Sequence, residues 1–162
     1  VRMKLLDHMD PLHRCEIRGQ TDSEHVFRYL LSLFLRRPEA GFLETFQAGL
    51  DRIVGWCRAV DPTQRVGLNV VLTDGQRLFG ARLNRSLVHL RRDHLYVCLV
   101  CGRTHVKHKP SASYRAIEVA SEPVTQDETW INIPNATVFA ATDDYSLDIR
   151  PMGPHAEAAA TG

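Results

Sequence analysis

A chain of 162 residues is long enough for one ordinary domain and too short for two. Hydrophobic residues make up 44% of it and charged residues 24%, the proportions of a globular protein and not of a disordered or fibrous one. Lys plus Arg numbers 20 and Asp plus Glu 19, a net charge of +1, with scattered arginines and lysine only at positions 4, 107 and 109. That balance gives no reason to expect a nucleic-acid partner held by a basic surface, and none is expected.

No apolar run approaches the roughly 20 residues that span a bilayer, so no membrane partner is expected. The opening, Val1 to Asp7, lacks the apolar stretch and cleavage site of a secretory signal. Four cysteines do not make a disulfide framework in a chain this long, and a reducing, cytoplasmic setting is expected. A start at Val1 and not Met reads as a processed product or a piece of something longer.

The pattern predicts a short helix over Met3 to Met9, stopped by Asp10-Pro11. A second helix spans residues 21–36: Thr21 and Glu24 stand in the capping-box relation, and Val26, Phe27, Leu30, Leu31 and Phe34 form an apolar stripe. Pro38 ends it. A third helix runs from Ala40 to Val60, with Cys57 on its apolar face. Period then changes. Val66–Leu72 and Leu78–Leu83 read as strands joined at Asp74-Gly75, a dipeptide suited to tight hairpins. Ser86–Arg91 and Leu95–Cys101 read as another strand pair. Tyr114–Ser121, Thr137–Thr142 and Leu147–Ile149 read as further strands, and residues 103–113 as a polar loop. Two main helices followed by antiparallel strands predict an α+β fold with helices on one face of a sheet. Residues 1–150 form the domain, and 151–162, rich in Ala and Gly, read as a flexible tail.

Cys98, Cys101, His105 and His108 have residue types that bind zinc. If Leu95–Val100 is a strand, however, residues three apart point to opposite faces. The competing reading is two small apolar residues in a strand and two loop histidines, so no metal site is assigned. Cys15 lies beside His13 without a third group to orient the pair. No GxSxG, phosphate-binding glycine loop or HExxH occurs, and no cofactor is expected. In Gly19-Gln20-Thr21-Asp22-Ser23-Glu24, an acidic residue opens a helix directly after a glycine turn. Asp22 has two readings: a residue suited to a helix N-terminus, or a carboxylate that grips a cation such as a substrate ammonium.

The segment Ile17-Arg-Gly-Gln-Thr-Asp-Ser-Glu-His-Val-Phe27 resembles the G-x-T-D-S-E motif of small class II glutamine amidotransferases, a group similar to the γ-glutamyl hydrolase of ergothioneine biosynthesis. Leu68-Asn-Val-Val-Leu-Thr-Asp-Gly75 is similar to the family's N-x-L-L-x-D-G hairpin. Val119-Ala-Ser-Glu-Pro123, with Glu128-Thr-Trp130 and Ile133-Pro134, is similar to its A-S-x-P-L…W strand and loop. The resemblance implies an N-terminal-nucleophile hydrolase, an αββα sandwich of which this chain is the C-terminal portion. It implies attack by an N-terminal cysteine on the amide of glutamine or another γ-glutamyl small molecule, the cysteine's own α-amino group acting as base and an Asn-Gly pair holding the oxyanion. Asp22 would hold the substrate's α-amino group, with Thr21 as its companion and Glu24 as support. Neither the nucleophile nor the Asn-Gly segment occurs here. Both are expected upstream of Val1, in a segment that another chain could supply, and the 162 residues alone are expected to be inactive. A non-catalytic ligand-binding or interaction module on the same fold is the alternative.

Overall fold

The computed structural model describes residues 1–36, 39–95, 97–104 and 114–160, the side chains of the last two excepted. Among these lie helices α1 (Arg2–His8), α2 (Pro11–Cys15), α3 (Asp22–Arg36), α4 (Phe42–Val60) and α5 (Pro154–Ala160). The strands are β1 (Leu68–Thr73), β2 (Leu78–Leu83), β3 (Val88–Arg92), β4 (Ala116–Ala120), β5 (Ile131–Asn132), β6 (Thr137–Ala141) and β7 (Leu147–Pro151).

Asp10-Pro11 ends α1 as expected but also starts α2. Asp10 Oδ1 accepts the Leu12 N–H at 3.0 Å, and Pro11 occupies the first helical position, where its missing N–H has no partner to lose. Helices α3 and α4 form as predicted. The buried line of α3 is Tyr29 and Leu30, whereas Phe27, expected in the core, is 41% exposed. Phe46, Leu50, Ile53 and Val54 of α4 pack with Tyr29 and Leu30 over Phe79, Ala81 and Leu83 of β2 and Val138 of β6. The residue Pro38, expected to end α3, lies outside the described residues.

The strands divide into two antiparallel sheets, β1-β2-β6-β7 and β4-β3-β5. Successive residues of a strand face opposite ways. Val138 of β6 therefore meets the helices, while Phe139 joins Leu87 and Ile133 in a second core, lined by Val119 of β4 and by Leu147 and Ile149 of β7. The order is a helical layer, the four-stranded sheet, then the three-stranded sheet. A helical layer on the far side of the second sheet is absent among the described residues. Gly80 lies opposite Phe139, and a Cβ there would stand 2.1 Å from the ring, so the glycine is what lets the ring lie over the strand.

The hairpin at Asp74-Gly75 is present. Gly75 takes φ +89°, and Asp74 Oδ1 accepts the N–H groups of Gln76 and Arg77 at 3.0 and 2.8 Å. Those bonds, and then the Arg77 guanidinium, pull the Asp74 carboxyl down to about 2.

Three expectations are corrected. β3 does not pair with Leu95–Cys101 but with β4 and β5, and the described part of that stretch is loop and turn. β5 was not anticipated. The segment from Pro151 onward ends β7 and then forms α5. Met152 and Ala156 are fully buried, and Asp51 Oδ1 of α4 accepts the Ala156 N–H at 3.0 Å, so this tail docks on α4.

Candidate active site

Asp22 is the first residue of α3, solvent-exposed, and takes part in none of the ion pairs among the described residues. The loop before it is tied from two sides. The Glu24 carboxylate reaches back and accepts the N–H groups of Arg18 at 2.9 Å and Gly19 at 2.7 Å. Those two backbone donors, with Arg18 the stronger, hold its carboxyl below the usual range. The capping box is thus half as expected. Thr21 Oγ1 accepts the Glu24 N–H at 3.4 Å, but the return bond goes to Arg18 and Gly19 and not to Thr21.

The other tie runs through His25, buried in the first turn of α3. Its Nδ1 bonds Thr21 O at 2.9 Å, and its Nε2 accepts from Arg2 Nε at 3.1 Å. An arginine donor at Nε2 assigns the proton to Nδ1. Arg2 also bonds the Gln20 side chain at 3.1 Å. Glu24 and the Arg2–His25 pair therefore fix residues 18–21, and with them the position of Asp22.

Asp22 borders a cavity of about 440 Å³ that runs between α3 and β1 and is lined by Val26, Phe27, Leu68, Val70 and Leu72. β1 pairs only with β2, so its other edge has no strand among the described residues. Leu68, Val70 and Leu72 are only half-buried, because none of the described residues covers the groove that they share with Phe27. The site is a carboxylate at the end of an apolar groove beside an open sheet edge. A carboxylate at that place can bind an ammonium whose apolar neighbours lie against the groove. A comparable hollow of about 430 Å³ near the β1–β2 hairpin is lined by Arg77 and Tyr145, but Arg77 is already engaged by Asp74.

None of the residues lining the groove is a cysteine. Cys57 is close enough to feel the charge of Asp22, yet burial pushes its thiol up, which leaves it protonated and a poor nucleophile. Cys15 is exposed and His13 buried on the short α2, so the pair singled out by adjacency is split between solvent and interior. Cys98 and Cys101 lie on a turn far along the chain from α3, and His105 and His108 lie outside the described residues.

One group escaped the sequence reading. Arg92 is 6% exposed and binds the carboxylates of both Glu118 on β4 and Glu128, its Nε meeting Glu128 Oε1 at 2.7 Å. Glu128 also accepts from Thr125 Oγ1 at 2.7 Å, and the Trp130 indole donates to the same Thr125 hydroxyl at 2.9 Å. This network shapes the loop from Thr125 to Trp130. Its signal was present: Val88, Leu90 and Arg92 alternate, and all three are buried.

The family described as "Glutamine amidotransferases class-II" matches residues 4–158. Among solved structures, a glutamine aminotransferase class-II domain protein from Silicibacter pomeroyi superposes with a TM-score of 0.64 at 20% identity, over 94% of this chain and 61% of that one. The chain thus spans about three-fifths of the length of that relative, with which it shares the fold. No curated protein matches. With nearly the whole chain matched, this protein belongs to the class II glutamine amidotransferase family.

Proposed function

We propose that this chain is the scaffold and substrate-clamp portion of a domain that hydrolyses glutamine or a related γ-glutamyl amide. Asp22 holds the α-ammonium of the γ-glutamyl group, and Thr21 and Glu24 keep the carboxylate in place. The carrying observation is an exposed Asp22, outside every ion pair of the described residues, at the end of an apolar groove beside the open edge of β1. An open, half-apolar edge is a place for another strand. The nucleophile is a cysteine on polypeptide beyond these 162 residues, from the same or another chain. Its α-amino group takes the thiol proton, Sγ attacks the side-chain amide carbon, and ammonia or an amine departs. Water then hydrolyses the thioester to glutamate. The setting is a reducing, cytoplasmic one, in keeping with four cysteines outside disulfides.

The alternative, a ligand-binding module without chemistry, draws on the lack of a thiol along the groove. Glutamate release from glutamine and from a γ-glutamyl peptide separates the two. The proposal expects none from the 162 residues alone, and turnover once the polypeptide encoded before Val1, carrying an N-terminal cysteine, is present. Turnover by the chain alone, or none by the extended protein, would overturn it.

A further inference from the structure

Helices α3 and α4 meet through matched stripes of residues. On α3, Tyr29, Leu33 and Arg36 follow one another at steps of four and three, and on α4, Thr45, Ala48, Gly49 and Arg52 keep the same helical spacing. Each set lies on one side of its helix. Leu33 and Arg36, with the four α4 residues, line a cavity of about 150 Å³. Gly49 sets how close the helices come, since a Cβ there would stand 2.8 Å from Leu30 Cδ2 and 2.9 Å from Leu33 Cδ1.

The lining of this cavity holds two arginines and no carboxylate. Arg52 is exposed and takes part in none of the ion pairs among the described residues. Arg36 donates from Nη1 to His8 O at 3.2 Å, and its one ion pair is loose, with Nη2 3.9 Å from Asp10 Oδ2. An exposed pair of that length is weak and leaves the charge open to a better partner. Thr45, 6% exposed, adds a hydroxyl. Tyr29 is fully buried, and its hydroxyl has no hydrogen-bond partner among the described residues. Burial pushes its phenol up, against the pull of Arg52, which stands beside it without meeting hydrogen-bond geometry, and of Arg36. A guanidinium can only donate, so the phenol proton still lacks an acceptor. Buried polar groups left in that state are rare and costly.

We propose that this cavity binds a phosphate group, held between Arg36 and Arg52, with the hydroxyls of Thr45 and Tyr29 as further donors. Two guanidiniums bring two positive charges and forked N–H donors, which match a tetrahedral dianion and exceed what one carboxylate can use. The cavity is smaller than the roughly 300 Å³ at which sites for whole organic ligands begin, so it takes the phosphate and leaves any attached group in solvent. Arg36 lies about 20 Å from Asp22 along α3, near the helix's other end. The site is therefore separate from the groove at Asp22 and independent of the proposed hydrolysis. A phosphate seated there ties α3 to α4 and stabilises the fold by mass action.

The test is calorimetric titration of the chain with inorganic phosphate and, separately, with glycerol phosphate, at fixed ionic strength in chloride. The expected result is one saturable site per chain and a Tm that rises with phosphate. Equal or weaker binding of the ester assigns the site to free phosphate, and tighter binding of the ester assigns it to the phosphate of a larger molecule. Arg36→Gln and Arg52→Gln should each weaken binding about 10-fold or more, and Tyr29→Phe about 2- to 10-fold. Arg58→Gln, elsewhere on α4, should leave binding unchanged. Circular dichroism confirms that each variant is folded, and without phosphate Tyr29→Phe should keep the wild-type Tm, because it breaks no hydrogen bond. Absence of saturable binding, acetate bound as tightly as phosphate, or wild-type affinity in Arg36→Gln, Arg52→Gln or Tyr29→Phe would overturn the assignment.

Discussion

Replacing Arg92 by Met tests whether the ion cluster holds the second sheet and its loop. The Arg92 side chain is 7% exposed, that of Glu128 10% and that of Glu118 29%. Removing the guanidinium leaves two carboxylates that had shared it, one of them nearly dry. Stranding buried charge in this way costs about 3–5 kcal/mol. With a urea dependence of about 2 kcal/mol per molar, the unfolding midpoint should fall by about 2 M. The pH dependence has a definite sign. Arg92, ahead of the Thr125 hydroxyl, holds the Glu128 carboxyl below its ordinary 4.5. A depressed carboxyl contributes stability fully above that value and loses it as pH falls through the folded one. The gap between wild type and Arg92→Met should therefore be widest near neutrality and close in acid. Urea unfolding followed by circular dichroism from neutral pH down to acid measures both effects. Replacing Arg92, Glu118 and Glu128 together with apolar residues should recover most of the loss, because no charge is then stranded. A midpoint shift under about 0.5 M at neutral pH, or a gap that does not narrow in acid, would refute the reasoning.

Gly80→Ala should destabilise by about 1–3 kcal/mol, because the new methyl meets the Phe139 ring and neither side has room. A second substitution, Phe139→Leu, should recover part of that loss; thermal unfolding of the two variants checks it. At neutral pH, Cys15 should alkylate faster than Cys57, since Cys15 is exposed and burial raises the Cys57 thiol. Mass spectrometry of a timed alkylation reads the order.

The sequence displays elements whose signals are local. β2 has the predicted bounds because Leu78–Leu83 lies between a turn and a break, and α3 begins where Thr21 and Glu24 mark a helix start. Failures came where distant residues decide. The Cys98 stretch carries strand-forming residues, but no strand among the described residues takes it up, and Gly102 turns it back. The tail from Pro154 is alanine-rich like a frayed end, yet Asp51, about a hundred residues earlier, binds its first turn. The split into two sheets depends on Phe139 and Val138 facing different cores, which a run of apolar residues does not reveal. At the site, Asp22 was legible as a helix-opening carboxylate. The groove beside it was not, because it exists only once β1 is laid against α3. Arg92 was missed because the predicted strand stopped at Arg91, one residue short of the end of β3.

The central claim is that Asp22 grips the ammonium of a γ-glutamyl substrate. Steady-state glutamine hydrolysis by Asp22→Asn, in the protein that includes the polypeptide encoded before Val1, tests it most directly. Loss of one charge-assisted bond to the substrate should raise KM about 10- to 100-fold while changing kcat far less. It should spare turnover of a substrate analogue that lacks the α-ammonium. A KM equal to that of the wild-type protein would contradict the account.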